Sequence, residues 1–376
     1  MTADDPDEPG ARRGAAIRAI PARLAEGDAA RIILRFAAAI AIGAAGGAAF
    51  VAAGAPLPWV LGSMAACALA SIAHLPVAAG SATRRPMAAV IGVVLGSSFH
   101  PGLAGVAREW WLPLLLLPVF LGIAALLCVA WFRRVAGFDP ATAYFAGMPG
   151  GIAEMVLMGG ERGADERTVG LIHAARIFLV VFALPFVIRQ VHAPAAAPPR
   201  AVTAASAWPD PALLLWGGLS LIAGLLIGRA LRLPAWHLMG PLAVSAVLHA
   251  TGVTDFRVPA WLLAAAQVGL GATIGCRFGG LTLRAFVRIL ALAAGSTLIL
   301  LALTFAFAVT VGRATGLDPA LLALAYSPGG LAEMSMVALS LALEPGVVVV
   351  HHLARVVLVL VAAPLAFRPS SQETRS

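Results

Sequence analysis

Apolar residues run almost unbroken through twelve stretches, six in each half of the chain. In the first half they cover about 32–53, 57–77, 86–104, 110–132, 138–159 and 168–189. In the second they cover about 212–228, 233–251, 259–277, 286–311, 317–342 and 346–367. A helix needs about 20 apolar residues to cross the ~30 Å hydrocarbon core of a bilayer. The pattern therefore predicts an all-α polytopic membrane protein. Residues 1–31 mix acids with arginines and read as a cytoplasmic N-terminal tail. The run from Ile32 to Ala53 is too long for the apolar part of a signal peptide and reads as the first span. Residues 190–211, rich in Pro and Ala, read as a linker between a first unit at 32–189 and a second at 212–367. Residues 368–376 form a C-terminal tail.

The polar positions inside these runs repeat. The stretch Gly137-Phe-Asp-Pro-Ala-Thr-Ala-Tyr-Phe-Ala-Gly-Met-Pro-Gly-Gly-Ile-Ala-Glu-Met155 returns 179 residues later, from Gly316 to Met334, with 11 of 19 positions identical. The same offset carries His173 onto His352, Arg176 onto Arg355 and Pro185 onto Pro364. It also carries Gly92, Gly96 and Phe99 onto Gly271, Gly275 and Phe278. Leu57-Pro-Trp-Val-Leu-Gly62 is echoed by Leu233-Pro-Ala-Trp-His-Leu-Met-Gly240. Such a register points to an internal duplication.

Each copy of the long motif predicts a broken helix. Asp139 and Asp318 are N-cap residues, and Pro140 and Pro319 suit the first helical position. The helix then meets Pro149-Gly150-Gly151 or Pro328-Gly329-Gly330, where proline removes a donor and two glycines favour irregular backbone. Irregular backbone at membrane depth is tolerated when it is buried in protein or lines a wet cavity. A second half-helix follows, with free N–H groups that attract an anion or a carbonyl. Paired breaks in matching halves point to a transporter's binding site. These six residues are the candidate substrate-binding positions.

Glu154 and Glu333 follow the breaks, and a carboxylate in an apolar segment is costly unless paired, wet or protonated. Their candidate partners are His173 with Arg176 and His352 with Arg355, each His and Arg sharing one helix face at i,i+3 spacing. Three readings stand side by side. In the first, Glu154 pairs with Arg176 and Glu333 with Arg355, pinning the breaks. In the second, these groups couple a proton or substrate to movement. In the third, each glutamate stabilises the N-terminus of its own half-helix.

Charge orients the chain. Sixty per cent of residues are hydrophobic and 12% charged, with a net charge of +8, and every basic residue is arginine. The mean hydropathy is +0.92. This composition excludes a soluble globular enzyme, a disordered chain and a disulfide scaffold. The arginines flank apolar runs instead of forming one stripe, the distribution that orients membrane helices and not one that binds nucleic acid. If one segment per half fails to cross, Arg84/Arg85, Arg133/Arg134, Arg229/Arg232, Arg284/Arg288 and Arg368 all lie inside. The halves are then inverted repeats of five crossings each, with both termini cytoplasmic. The Pro-Gly-Gly segment is the candidate for the non-crossing one. A broken but spanning Pro-Gly-Gly helix, with another segment turning back, satisfies the same parity.

Candidate chemistry adds little else. Cys67, Cys128 and Cys276 form no Cys-x-x-Cys, and no His, Cys and carboxylate grouping has metal-ligand spacing. No nucleophile elbow or nucleotide-binding loop stands in a usable context. The expectation is a protein that is not an enzyme, with no cofactor and no metal. Gly92-x-x-x-Gly96, Gly224-x-x-x-Gly228 and Gly271-x-x-x-Gly275 suit close helix packing, in the bundle or in a homo-oligomer. Trp59, Trp110, Trp111, Trp236 and Trp261 read as interfacial anchors.

The duplicated Pro-Gly-Gly-[Ile/Leu]-Ala-Glu-Met motif, the following His-x-x-Arg and the Leu-Pro-Trp…Leu-Gly motif resemble the bacterial AbrB-type membrane proteins. The resemblance covers about residues 35–367. It implies an internally duplicated protein of the bacterial inner membrane. Labels attached to that family include regulation of aidB expression and ammonia monooxygenase. The second needs a metal site for which no ligand cluster is seen. From the residues, the expected function is a carrier of a small solute or ion with proton coupling. A membrane sensor that affects gene expression without transport is the alternative.

Overall fold

A computed structural model describes residues 26–103, 105, 108–191, 202–203 and 211–367. Most of the expected N-terminal tail and linker, and the C-terminal tail with Arg368, lie outside them. Fourteen α-helices occur among the described residues. The first seven are α1 (Glu26–Ala52), α2 (Pro58–Ile72), α3 (Ser81–Gly96), α4 (Trp111–Arg134), α5 (Pro140–Gly147), α6 (Ile152–Gly160) and α7 (Glu166–Val191). The second seven are α8 (Gly218–Ala230), α9 (Trp236–Ala250), α10 (Ala260–Gly275), α11 (Leu283–Thr315), α12 (Pro319–Tyr326), α13 (Leu331–Ser340) and α14 (Pro345–Ala366). Val202–Thr203 pairs in parallel with Val258–Pro259, the one strand pairing among the described residues.

Seven helical stretches are long and apolar enough to cross a membrane: Ala30–Ala52, Arg108–Arg134, Glu166–Gln190, Leu213–Ala230, Ala260–Phe278, Leu283–Thr315 and Pro345–Ala366. The expected ~20-residue lengths are not met everywhere. α2 and α9 have 15 residues each, about 22 Å of helix, less than the ~30 Å core. The apolar runs continue past these helices into turns, so apolarity outlasts the helix. α3 starts earlier than its apolar run, and Arg84 and Arg85 lie in its first turns. Each Pro-Gly-Gly segment is two short helices and not one: α5 with α6, and α12 with α13.

Local chemistry sets the helix ends. The Asp139 carboxylate accepts from the Thr142 N–H at 2.9 Å and starts α5. Asp318 accepts from the Ala320 N–H at 2.7 Å and starts α12. The Thr282 hydroxyl caps α11 by accepting from the Ala285 N–H, and Gly316, at φ 78°, closes it in the left-handed region that glycine favours.

Small residues let the backbones touch. Gly92 and Gly96 of α3 lie against the Leu238 and Leu242 backbone of α9. Gly271 and Gly275 of α10 lie against Val60 and Met64 of α2. Gly224 and Gly228 of α8 face Pro241 and Gly240 of α9. All three Gly-x-x-x-Gly faces therefore serve packing inside the chain. α3 also crosses α10, and α4 crosses α11. Trp110 is buried and not interfacial, whereas Trp111 and Trp261 are exposed.

Candidate functional site

α5 and α12 end in the middle of the protein, and their last carbonyls need donors. The His-x-x-Arg pairs of α7 and α14 supply them. His173 Nε2 lies 2.8 Å from the Phe145 carbonyl and His352 Nε2 lies 3.0 Å from the Leu324 carbonyl. Arg176 donates through Nη2 to the Met148 carbonyl at 3.2 Å. Arg355 donates to the carbonyls of Ser327 and Gly329, the latter at 2.7 Å.

The same guanidiniums donate to their own histidines. Arg176 Nη2 lies 2.8 Å from His173 Nδ1, and Arg355 Nη2 lies 3.2 Å from His352 Nδ1. A guanidinium only donates, so each Nδ1 accepts and each Nε2 carries the proton. Both imidazoles are thereby held neutral in one tautomer. His351, next along α14, faces elsewhere, with Nδ1 on the Val347 carbonyl and its ring against Tyr326.

Among the described residues neither glutamate pairs with the arginine of its own motif, and both arginines donate to backbone carbonyls. Both carboxylates instead curl over the start of their own helix, into the space that a Cβ at Gly151 or Gly330 would take. That is the first-turn position favoured by the helix dipole. Glu333 is 1% exposed, and its Oε1 accepts from Arg84 of α3 at 3.4 Å. Its Oε2 is buried and finds no hydrogen-bond partner among the described residues. Glu154 is partly exposed.

The two arginines carry unequal loads. Arg355 uses both terminal nitrogens. Arg176, 2% exposed, leaves Nε and Nη1 buried without a partner among the described residues. The two guanidiniums lie within electrostatic range of each other. No acid comes within ion-pair distance of either among the described residues.

The second half-helices differ as well. α13 is buried almost throughout and packs against α3 and α7. α6 packs chiefly on α5 and α7, and among its described residues it buries Met155 and Gly159. At matching positions, Leu157 is 66% exposed and Met336 1%. A cavity of about 450 Å³ opens beside α6, lined by Ile152, Ala153, Glu166, Arg167 and Arg277 among others. Arg277 also lies within electrostatic range of Glu333 and Arg84.

Three partnerships escaped the sequence. Arg84 and Glu333 are 249 positions apart, and no local spacing joins them. Arg277, at the end of an apolar run, joins the Arg84 and Glu333 neighbourhood through the fold alone. Cys67 and Cys276, from different halves, lie within electrostatic range of each other, with the Cys67 thiol donating to the Ala39 carbonyl.

A family model described as "Transition state regulatory protein AbrB" matches residues 59–370, taking in both breaks and both His-x-x-Arg pairs. The chain belongs to the AbrB family. Among similar proteins is "Uncharacterized protein YhjN" of Bacillus subtilis (strain 168), 31% identical over 350 residues, which covers 88% of this chain and 91% of the relative. Another is "Putative regulator AbrB" of Escherichia coli (strain K12), 28% identical over 324 residues, which covers 85% of this chain and 91% of the relative. No solved structure matches the chain. This AbrB-family protein is thus a multi-span membrane protein with two interrupted helices, each anchored by a His-Arg pair.

Proposed function

We propose that this AbrB-family protein is a proton-coupled secondary carrier of a small anion in the bacterial inner membrane. The observation that carries the reading is Arg176: a buried guanidinium with two open donor nitrogens and no acid at ion-pair distance among the described residues. A buried charge costs several kcal/mol unless something compensates it. Arg355 sits within range and adds a second positive charge. A small anion drawn between them satisfies both, and intramembrane ionisable groups mark substrate pathways.

Roles follow from geometry. His173 and His352 position the arginines, since a second proton on either ring would face a guanidinium. The Pro149-Gly150-Gly151 and Pro328-Gly329-Gly330 strands place helix ends at the site. Glu333 and Glu154 carry the coupling proton: Glu333 has one oxygen on Arg84 and one free. Protonation would release Arg84 and loosen α13 from α3.

The reading takes the two halves as inverted repeats of five crossings with cytoplasmic termini. Reciprocal packing supports this: α2 against α10 is matched by α9 against α3, and α4 against α5 by α11 against α12. The contrast between exposed α6 and buried α13 supports alternation, because two copies of one motif occupy two environments. A second reading, a membrane sensor without flux, is favoured by the word "regulator" in the name of the Escherichia coli relative.

Liposomes reconstituted with the protein test the choice. Small organic anions, inorganic phosphate, amines and cations are added while internal pH is followed. An anion-dependent pH change, lost in Glu154→Gln plus Glu333→Gln, is the expected result. A correctly inserted wild type that moves none of them favours the sensor.

A further inference from the structure

A long apolar groove runs down the outside of the bundle between α4 and α14, with a volume of about 670 Å³. Its walls are residues such as Leu121, Leu126 and Val129 of α4, with Leu358 and Ala362 of α14. From Pro118 to Arg134 the groove follows about 24 Å of helix at 1.5 Å per residue, longer than one leaflet's half of the ~30 Å hydrocarbon core. At one end stand Arg133 and Arg134, both exposed, in the last turn of α4. Arg133 donates to the Phe138 carbonyl at 3.3 Å. Its other donors, and Arg134, face whatever fills the mouth.

The groove also touches the candidate site. Met148 and Pro149 form part of its floor, and the Met148 carbonyl is the one Arg176 holds. Gly122 opens onto it: a Cβ added there meets no heavy atom within 4 Å. An apolar trench with two cations at one mouth has the polarity of one ligand class, a long acyl chain ending in an anionic head.

We infer that this groove is a specific binding site for an anionic phospholipid, its phosphate on Arg133 and Arg134 and one acyl chain along α4 and α14. The bound chain lies against the outer side of the break at Met148 and Pro149, so occupancy supports the segment whose Met148 carbonyl Arg176 holds. A zwitterionic lipid offers the same chain with no net negative charge. Free phosphate offers the charge with no chain.

Native mass spectrometry of the purified full chain distinguishes these. Phosphatidylglycerol, phosphatidylcholine and inorganic phosphate are added separately to wild type, Arg134→Gln, Arg133→Gln/Arg134→Gln and Gly122→Phe. Arg134→Gln spares the Arg133 hydrogen bond to Phe138, and the Cβ position at Gly122 is open, so two of the variants leave the fold's hydrogen bonds in place. Phosphatidylglycerol is expected to bind wild type preferentially. A juxtamembrane arginine contributes about a fivefold factor, so the double arginine variant loses on the order of 30-fold in apparent affinity. Gly122→Phe is expected to block the chain. Equal binding of phosphatidylcholine, an unchanged phosphatidylglycerol adduct in Gly122→Phe, or equally tight binding of phosphate alone would overturn the assignment.

Discussion

Arg176 and Arg355 occupy matching sequence positions yet do different work. Arg355 satisfies two carbonyls and its histidine, so Arg355→Met leaves buried acceptors unmet and is expected to cost roughly 2–4 kcal/mol. Arg176 satisfies one carbonyl and its histidine, and carries unpaired positive charge. Arg176→Met removes that charge along with both bonds, so relief of a poorly compensated buried ion offsets part of the loss and its cost is expected to be smaller than that of Arg355→Met. Chemical unfolding in detergent measures both, and equal losses would contradict the asymmetry. A smaller effect sits at the start of α7. The Thr168 hydroxyl, with the N–H groups of Thr168 and Arg167, holds the Asp165 carboxyl below its ordinary range. Its cap is therefore present above the ordinary carboxylate pKa of about 3.9 and lost as pH falls through the lower folded value. Melting temperature between pH 6 and 3, compared with Asp165→Asn, is expected to show a small acid-side drop that the variant lacks.

At the scale of the element, the broken helix was legible because its parts are local. Asp139-Pro140 and Asp318-Pro319 announce a start, and Pro-Gly-Gly announces a stop, all within one short stretch of sequence. The His-x-x-Arg spacing put both groups on one face, which is how they meet the half-helix. Their partners were not legible, since nothing in the local pattern says whether an arginine will take a carboxylate or an orphan carbonyl. The free ends of α5 and α12 decided it. Helix lengths were also misjudged at α2 and α9, where apolar turns extend the hydrophobic run. The second glycine of each break has a demand of its own: at Gly330 a Cβ would occupy the place of the Glu333 carboxylate. Gly330→Ala is therefore expected to push Glu333 away from its helix end and from Arg84. The expected outcome is impaired anion-driven proton movement with helical content preserved by circular dichroism. Unchanged proton movement would mean that the position of the carboxylate is immaterial.

Across the whole molecule, the helices pair across the two halves through glycine contacts, and the break motifs sit in unequal surroundings. Sequence identity between the copies gave no hint of that inequality, which arises from packing: α13 is enclosed by α3 and α7, and α6 is not. If the copies exchange environments during a transport cycle, their accessibility must exchange too. In a background lacking Cys67, Cys128 and Cys276, Leu157→Cys is expected to react rapidly with a water-soluble thiol reagent and Met336→Cys slowly. A transported anion is expected to shift the ratio. A Met336→Cys that stays protected with and without anion would argue for a static protein. The coupled event itself is most directly read in liposomes, as proton uptake driven by an inward anion gradient, in wild type beside Glu333→Gln. The account requires proton uptake in wild type and its loss in the variant, with anion binding retained. Proton uptake of equal size in both would contradict it.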